Sequence, residues 1–185
     1  LEPARGYGTA EVQLRQILPK FPREQLIVQT KVNPKADAQA FQNTLQQSLK
    51  NLRLDYIDLL GIHGINNAEN LEHTIRLNGC LDVARKFQAQ GKIKFIGFST
   101  HGPTDIIIEA INTNQFDYVN LHWYYIKQNN WAAIEAATRH DMGVFIISPN
   151  DKGGRLYDAP EKLVKLCSPL SPMVFNDLFC LSHPQ

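Results

Sequence analysis

A chain of 185 residues with 43% hydrophobic and 20% charged side chains has an ordinary globular make-up and is long enough to bury one real core. Its formal net charge of +1, with acids and bases interspersed, argues against a phosphate-tracking surface and against nucleic acid as a partner. No apolar run approaches the roughly 20 residues that span a bilayer. Cys80, Cys167 and Cys180 fit neither a disulfide framework nor a CxxC metal site, so a reduced, cytoplasmic setting is expected.

Helices and strands alternate along the chain. Thr9 can cap a first helix carrying Val12, Leu14, Ile17 and Leu18, which Pro19 should stop. A strand follows over Leu26 to Lys31. Asp37 can cap a long helix with Phe41, Leu45, Leu49 and Leu52 on one face. The next strand, Ile57 to His63, runs into a polar stretch from Gly64 to Gly79, read as a long loop. A helix with Leu81, Ala84 and Phe87 ends at Gly91, a C-cap residue. The strand Ile93 to Phe98 stops at Ser99-Thr100-His101, and Pro103 opens a helix through Ile107 and Ile111. The strand at Tyr118-Val119 runs into Asn120 and His122, and a helix covers about Trp131 to Arg139. The last strand, Val144 to Ile147, stops at Ser148-Pro149-Asn150. A Gly-Gly loop then leads to a short helix through Leu163 and Leu166, and Pro169 and Pro172 should break what remains.

Repeated β-α units with near-continuous apolar strands predict a parallel sheet covered by helices. A doubly wound open sheet gives the same pattern, but its usual GxGxxG after a first strand is absent. Five strands in succession deliver a polar residue at their C-terminal ends, and in an α/β barrel those ends share the catalytic face. The expected fold class is therefore α/β, an incomplete (β/α)8 TIM barrel. A full barrel takes about 250 residues, so residues 1–185 read as one partial barrel domain and an interior piece of a larger protein.

The strand-end residues carry usable chemistry. Tyr7, in Ala4-Arg5-Gly6-Tyr7-Gly8, can serve as a general acid if a cation lowers its pKa from about 10. Lys31 is the candidate cation, Glu2 can supply its carboxylate, and His63 can share the proton or polarise a carbonyl. Taken alone, Tyr7 reads as a turn aromatic, Lys31 as a solvated lysine and His63 as a core histidine. Their joint placement on one face favours a site.

Four stretches carry a resemblance: Ala4-Arg5-Gly6-Tyr7-Gly8, Gln29-Thr30-Lys31-Val32, Leu54 to His63, and Gly91 to Ser99. In order and spacing they resemble the aldo-keto reductases, over essentially the whole chain. The resemblance implies an (α/β)8 barrel, present here from about the end of strand 2 to helix 7. It implies hydride transfer from NADPH to an aldehyde or ketone, with a small carbonyl compound as substrate. Tyr7 falls on the family's acid, Lys31 on its lysine and His63 on its histidine. Glu2 stands where the family usually has aspartate.

The same resemblance places Ser99, Thr100, Asn120, Ser148, Asn150 and Gly153 at the cofactor, NADP(H), with Ile147 where many members stack a tyrosine. The family's residues for the 2′-phosphate come after its eighth strand, beyond this chain. His122, Trp123 and Tyr124 would line the substrate pocket mouth, with packing under the next helix as the alternative. The wording Phe98 to Pro103, Asn120 to Tyr125 and Ile147 to Gly154 resembles a prokaryotic branch. Its full-length members carry a C-terminal ferredoxin-like region, which would hold any 4Fe-4S cluster outside this chain. Cys167 and Cys180 lack ferredoxin spacing and read as small apolar residues.

Two other functions share the pattern. A zinc-dependent barrel hydrolase would also set His63, His101 and His122 at strand ends. A non-catalytic regulatory barrel that binds NADPH would keep the fold without the chemistry. The reductase reading itself expects no metal site. The substrate and the oligomeric state are open from sequence.

Overall fold

The computed structural model describes residues 1–151 and 154–183. Five strands, β1 (Gln29–Val32), β2 (Ile57–His63), β3 (Ile93–Ser99), β4 (Tyr118–Leu121) and β5 (Gly143–Ile146), form one sheet. All neighbours are parallel and the spatial order is the chain order. A doubly wound sheet reverses its order at a switch point; this one never does. It is an arc of an α/β barrel, the expected incomplete (β/α)8 fold.

The helices are α1 (Ala10–Ile17), α2 (Ala38–Leu52), α3 (Ala68–Ile75), α4 (Cys80–Ala89), α5 (Thr104–Asn112), α6 (Trp131–Arg139), α7 (Glu161–Cys167) and α8 (Pro172–Leu181). Side chains alternate across each strand. One set, including Leu60, Ile62, Ile96, Phe98, Val119 and Leu121, is buried with the apolar faces of the helices: Phe41 and Leu45, Ala84 and Phe87, Ile107 and Ile111, Ile134 and Ala137. Each of the larger ones contributes about 1.5–3 kcal/mol by leaving water. The other set faces the inside of the arc and builds the site.

Several local expectations need correction. The polar stretch 64–79 is not one loop. It contains α3, whose N-cap Asn67 accepts from Asn70 N at 2.8 Å. Pro172 does not break the chain; it is the first residue of α8, where its missing N–H costs nothing, and Ser171 caps that helix. Thr9 precedes α1 without a side-chain cap, because its hydroxyl accepts from Gln13 Nε2 instead. Pro19 sits inside a short 3-10 turn, Leu18–Lys20. Asp37 does cap α2, accepting from Gln39 N at 2.9 Å.

Candidate active site

Register explains the site. Lys31 lies opposite Gly61, Gly61 opposite Gly97, Gly97 opposite Tyr118, and Tyr118 opposite Gly143. The glycines make room on the inner face. A Cβ on Gly61 would stand 3.1 Å from Lys31 Cγ, and one on Gly97 would stand 2.3 Å from the Tyr118 carbonyl oxygen. Two residues further along, on the same face, come His63, Ser99 and Asn120, again in adjacent register. Glu2 and Tyr7 arrive on the opening segment, which lies along β1: Gln29 N donates to Leu1 O and Arg5 N to Lys31 O, both at 2.9 Å.

These elements converge on a cleft of about 220 Å³ lined by Glu2, Tyr7, Lys31, His63, Ser99, His101, Ile147 and Ser148. Lys31 is 2% exposed, and its Nζ meets Glu2 Oε1 at 2.7 Å and Pro3 O at 3.4 Å. The same Nζ stands 5.2 Å from the Tyr7 ring centroid. The Tyr7 and His63 rings meet edge to face at 5.6 Å. His63 Nδ1 is buried without a hydrogen-bond partner among the described residues.

Burial lowers the Lys31 pKa by more than its hydrogen bond and attraction to Glu2 restore. Burial also lowers His63, and Lys31 and His101 add to that, against a weaker pull from Glu2. The His63 ring is thus biased toward neutrality. Tyr7 moves upward, first from burial and then from the Glu2 charge. The expectation that Lys31 lowers this phenol is not met, because Lys31 is already paired with Glu2. The Tyr7 phenol is thereby held in its protonated form.

The other anticipated residues divide. Ser99 and Ser148 line the cleft, the latter at φ 50°. Thr100 is 1% exposed and spends its hydroxyl on Ile65 O at 2.7 Å, holding the loop that carries His101. Asn120 is fully buried and turns its amide to Glu2 and Gln29. Asn150 Oδ1 is buried without a partner among the described residues. Gly153 lies outside the described residues. His122 Nε2 meets His101 Nδ1 at 2.8 Å, and so stands behind a cleft-lining ring.

Of the two places expected for Trp123, the structure shows packing under the next helix and not the pocket mouth. The residue is 3% exposed and packs against Trp131 at 5.2 Å and Phe179 at 4.9 Å, on the helix side. Alternation beyond β4 dictates this: Asn120 and His122 face in, so Trp123 faces out. Tyr124 is fully buried, and its hydroxyl donates to Asp151 Oδ1 at 3.1 Å. Burial and that carboxylate push the Tyr124 pKa up to about 12.

Sequence reasoning missed Gln29, Tyr118 and Asn176. Gln29 and Tyr118 sit beneath the cleft and are joined by a 2.9 Å hydrogen bond. Asn176 pins the loops after β4 and β5 by accepting from Tyr125 N and donating to Pro149 O. A poor helix former amid the apolar run of α8 was the available signal.

The aldo/keto reductase family model matches residues 2–154. The chain belongs to the aldo/keto reductase family. Solved reductases share its fold. One, from Bacillus halodurans in its holo form, superposes with a TM-score of 0.82 at 19% identity, covering 99% of this chain and 68% of that one. Another, from Klebsiella pneumoniae in complex with NADP and acetate, gives 0.78 at 19% identity, covering 99% and 66%. A third, from a Medee basin deep-sea metagenome, gives 0.69 at 21% identity, covering 90% and 60%. Across such matches the chain spans about three fifths to two thirds of the other reductase's length.

Membership in this family does not favour a zinc hydrolase or a non-catalytic barrel. Among the described residues no group of three or more His, Cys, Asp or Glu could hold a metal ion. No helix among them is long and apolar enough to cross a membrane.

Proposed function

We propose that the protein carrying this chain reduces an aldehyde or ketone with NADPH, using Tyr7 as general acid. The observation that carries this reading is the convergence of Tyr7, Lys31, His63 and Glu2 on one cleft at the C-terminal ends of the strands. The cleft suits the nicotinamide end of the cofactor. Ile147 offers an apolar wall and Ser99 and Ser148 offer hydroxyls, while Asn150 Oδ1, without a partner among the described residues, is a buried acceptor two residues on from Ser148. When bound, the reduced nicotinamide supplies a hydride.

The chain's own residues do the rest. Tyr7 gives its proton to the carbonyl oxygen as negative charge develops there. His63, biased neutral, can donate a second hydrogen bond to that oxygen. Lys31 keeps a positive charge beside the departing proton, and Glu2 keeps the buried Lys31 protonated. His101, backed by His122, faces the same space and shapes what fits. The free thiols of Cys80, Cys167 and Cys180 suit a cytoplasmic setting. Any 4Fe-4S cluster would sit in a C-terminal ferredoxin-like region of the full-length protein, outside this chain.

Replacing Tyr7 by Phe removes the acid and nothing else. Turnover of carbonyl substrates should fall by roughly 10²–10⁴-fold, with NADPH binding preserved. Near-full carbonyl reduction by that variant would show the acid to be elsewhere.

A further inference from the structure

The Lys31–Glu2 pair is not held by its two members alone. Glu2 lies in the opening segment, outside any helix or strand, and is a third exposed. A side chain with three free torsions in such a place needs an anchor to keep one geometry. The anchor comes from β4. Asn120 Nδ2 donates to Glu2 Oε1 at 3.2 Å, the same oxygen that receives Lys31 Nζ at 2.7 Å.

Asn120 is itself fixed from below. Its amide pairs reciprocally with that of Gln29: Gln29 Nε2 donates to Asn120 Oδ1 at 3.1 Å, and Asn120 Nδ2 donates to Gln29 Oε1 at 3.2 Å. Gln29 Nε2 also donates to the Tyr118 hydroxyl at 2.9 Å. Asn120 and Gln29 are 0% and 2% exposed, so neither amide can exchange these partners for water. The network also decides which way each amide faces. Asn120 must turn its NH₂ to Glu2, because an ionised carboxylate only accepts, and Gln29 then faces the Asn120 oxygen with its own NH₂.

We propose that Asn120, held by Gln29 and Tyr118, is the positioning residue that sets the Glu2 carboxylate against Lys31. This rests on the reductase reading for its consequence, though not for its contact. The carboxylate and the amide reach toward each other from two backbone segments. The sum of the two side-chain lengths therefore sets the fit. Glu2→Asp removes one methylene and opens the gap. Asn120→Gln adds one and crowds it. Together they conserve the total.

The experiment compares wild type, E2D, N120Q and the double variant in the protein carrying this chain. Three quantities are read: kcat for NADPH-driven carbonyl reduction, the NADPH Kd by fluorescence quenching, and the thermal midpoint. Misplacing a reacting group by about 1 Å can cost up to about 10²-fold, so each single variant should lose about ten- to a hundredfold in kcat. The loss in kcat should exceed any weakening of the NADPH Kd. The double variant should recover most of the loss. Multiplying losses in the double variant would overturn the proposal. So would a weaker NADPH Kd at unchanged kcat, which would make Asn120 a cofactor contact. A folded wild type that reduces no carbonyl would refute the reductase reading alone. The midpoints would then decide: non-additive shifts support the positioning contact, and additive shifts refute it.

Discussion

Two ion clusters sit at opposite ends of the same sheet, and they are built for different ends. At the C-terminal end Lys31 has one carboxylate, Glu2, and one distant carbonyl. At the N-terminal end Asp58 has Arg23 at 2.7 Å, Lys94 at 2.8 Å and Val28 N–H at 2.9 Å. Arg23 and Lys94 also stack on the Tyr56 ring, at 4.0 and 4.6 Å. Burial works against both charges. At Asp58 the Lys94, Val28 and Arg23 contacts outweigh burial and the pKa falls. At Lys31 burial wins and the pKa falls too, which for a cation means a charge held less firmly. Full compensation marks a fastening; partial compensation beside a cleft marks a group poised to respond to a proton moving nearby.

The comparison can be broken by removing one charge at each end. Lys31→Met should lower turnover by at least about 10²-fold, the scale of general acid help. Its thermal midpoint should change little, since an apolar stem replaces a buried cation at similar volume and the Glu2 carboxylate left behind, a third exposed, can be solvated. Asp58→Ala should do the reverse. It strands Val28 N–H and unpairs Arg23, at a cost of about 2–3 kcal/mol after allowing for the exposure of Arg23 and Lys94. For a chain of this size that is roughly a 5–10 °C fall in midpoint, with turnover per folded molecule intact. Variants that lose activity and stability together at both ends would erase the distinction.

Both ends should gain stability as pH rises, but in separate windows. The Asp58 pKa is lower in the folded protein, so its contribution is complete above the ordinary carboxylate value of about 4 and is lost as pH falls through the folded value. Lys31 binds its proton less tightly when folded. Between its folded value and the ordinary value of about 10.4 the unfolded chain holds more protons, so stability rises with pH across that alkaline window. Denaturation midpoints against pH should lose the acid limb in Asp58→Ala and the alkaline rise in Lys31→Met.

The smallest effect probes the glycine row. Gly61→Ala places a methyl 3.1 Å from Lys31 Cγ, a contact the flexible stem can relieve by shifting. Stability should change by less than about 1 kcal/mol, while turnover should drop several-fold through displacement of Nζ. Unchanged turnover would mean that Lys31 tolerates movement.

Much of this was legible beforehand, for a physical reason. Strand ends in a parallel sheet are set by where apolar runs stop, so Lys31, His63, Ser99 and Ser148 could be placed from sequence. What escaped depends on contacts across the fold. α3 has only two large apolar residues, Leu71 and Ile75, among polar neighbours, and its cap, Asn67, is the other local signal. Pro172 has opposite meanings at the start and in the middle of a helix. Trp123 suited either the pocket or the packing under a helix by neighbourhood, and its parity along the chain sends it outward. Gln29 bonds residues 89 and 91 positions away, and no local pattern encodes that.

Reaction of the protein carrying this chain with NADPH deuterated at the transferable position of the nicotinamide, beside its Tyr7→Phe variant, puts the reductase site to the sharpest test. Deuterium should appear on the former carbonyl carbon of the product, at a rate that collapses in Tyr7→Phe while NADPH still binds. NADPH consumption that leaves no deuterium in the product, or that proceeds equally well without the Tyr7 hydroxyl, would contradict it.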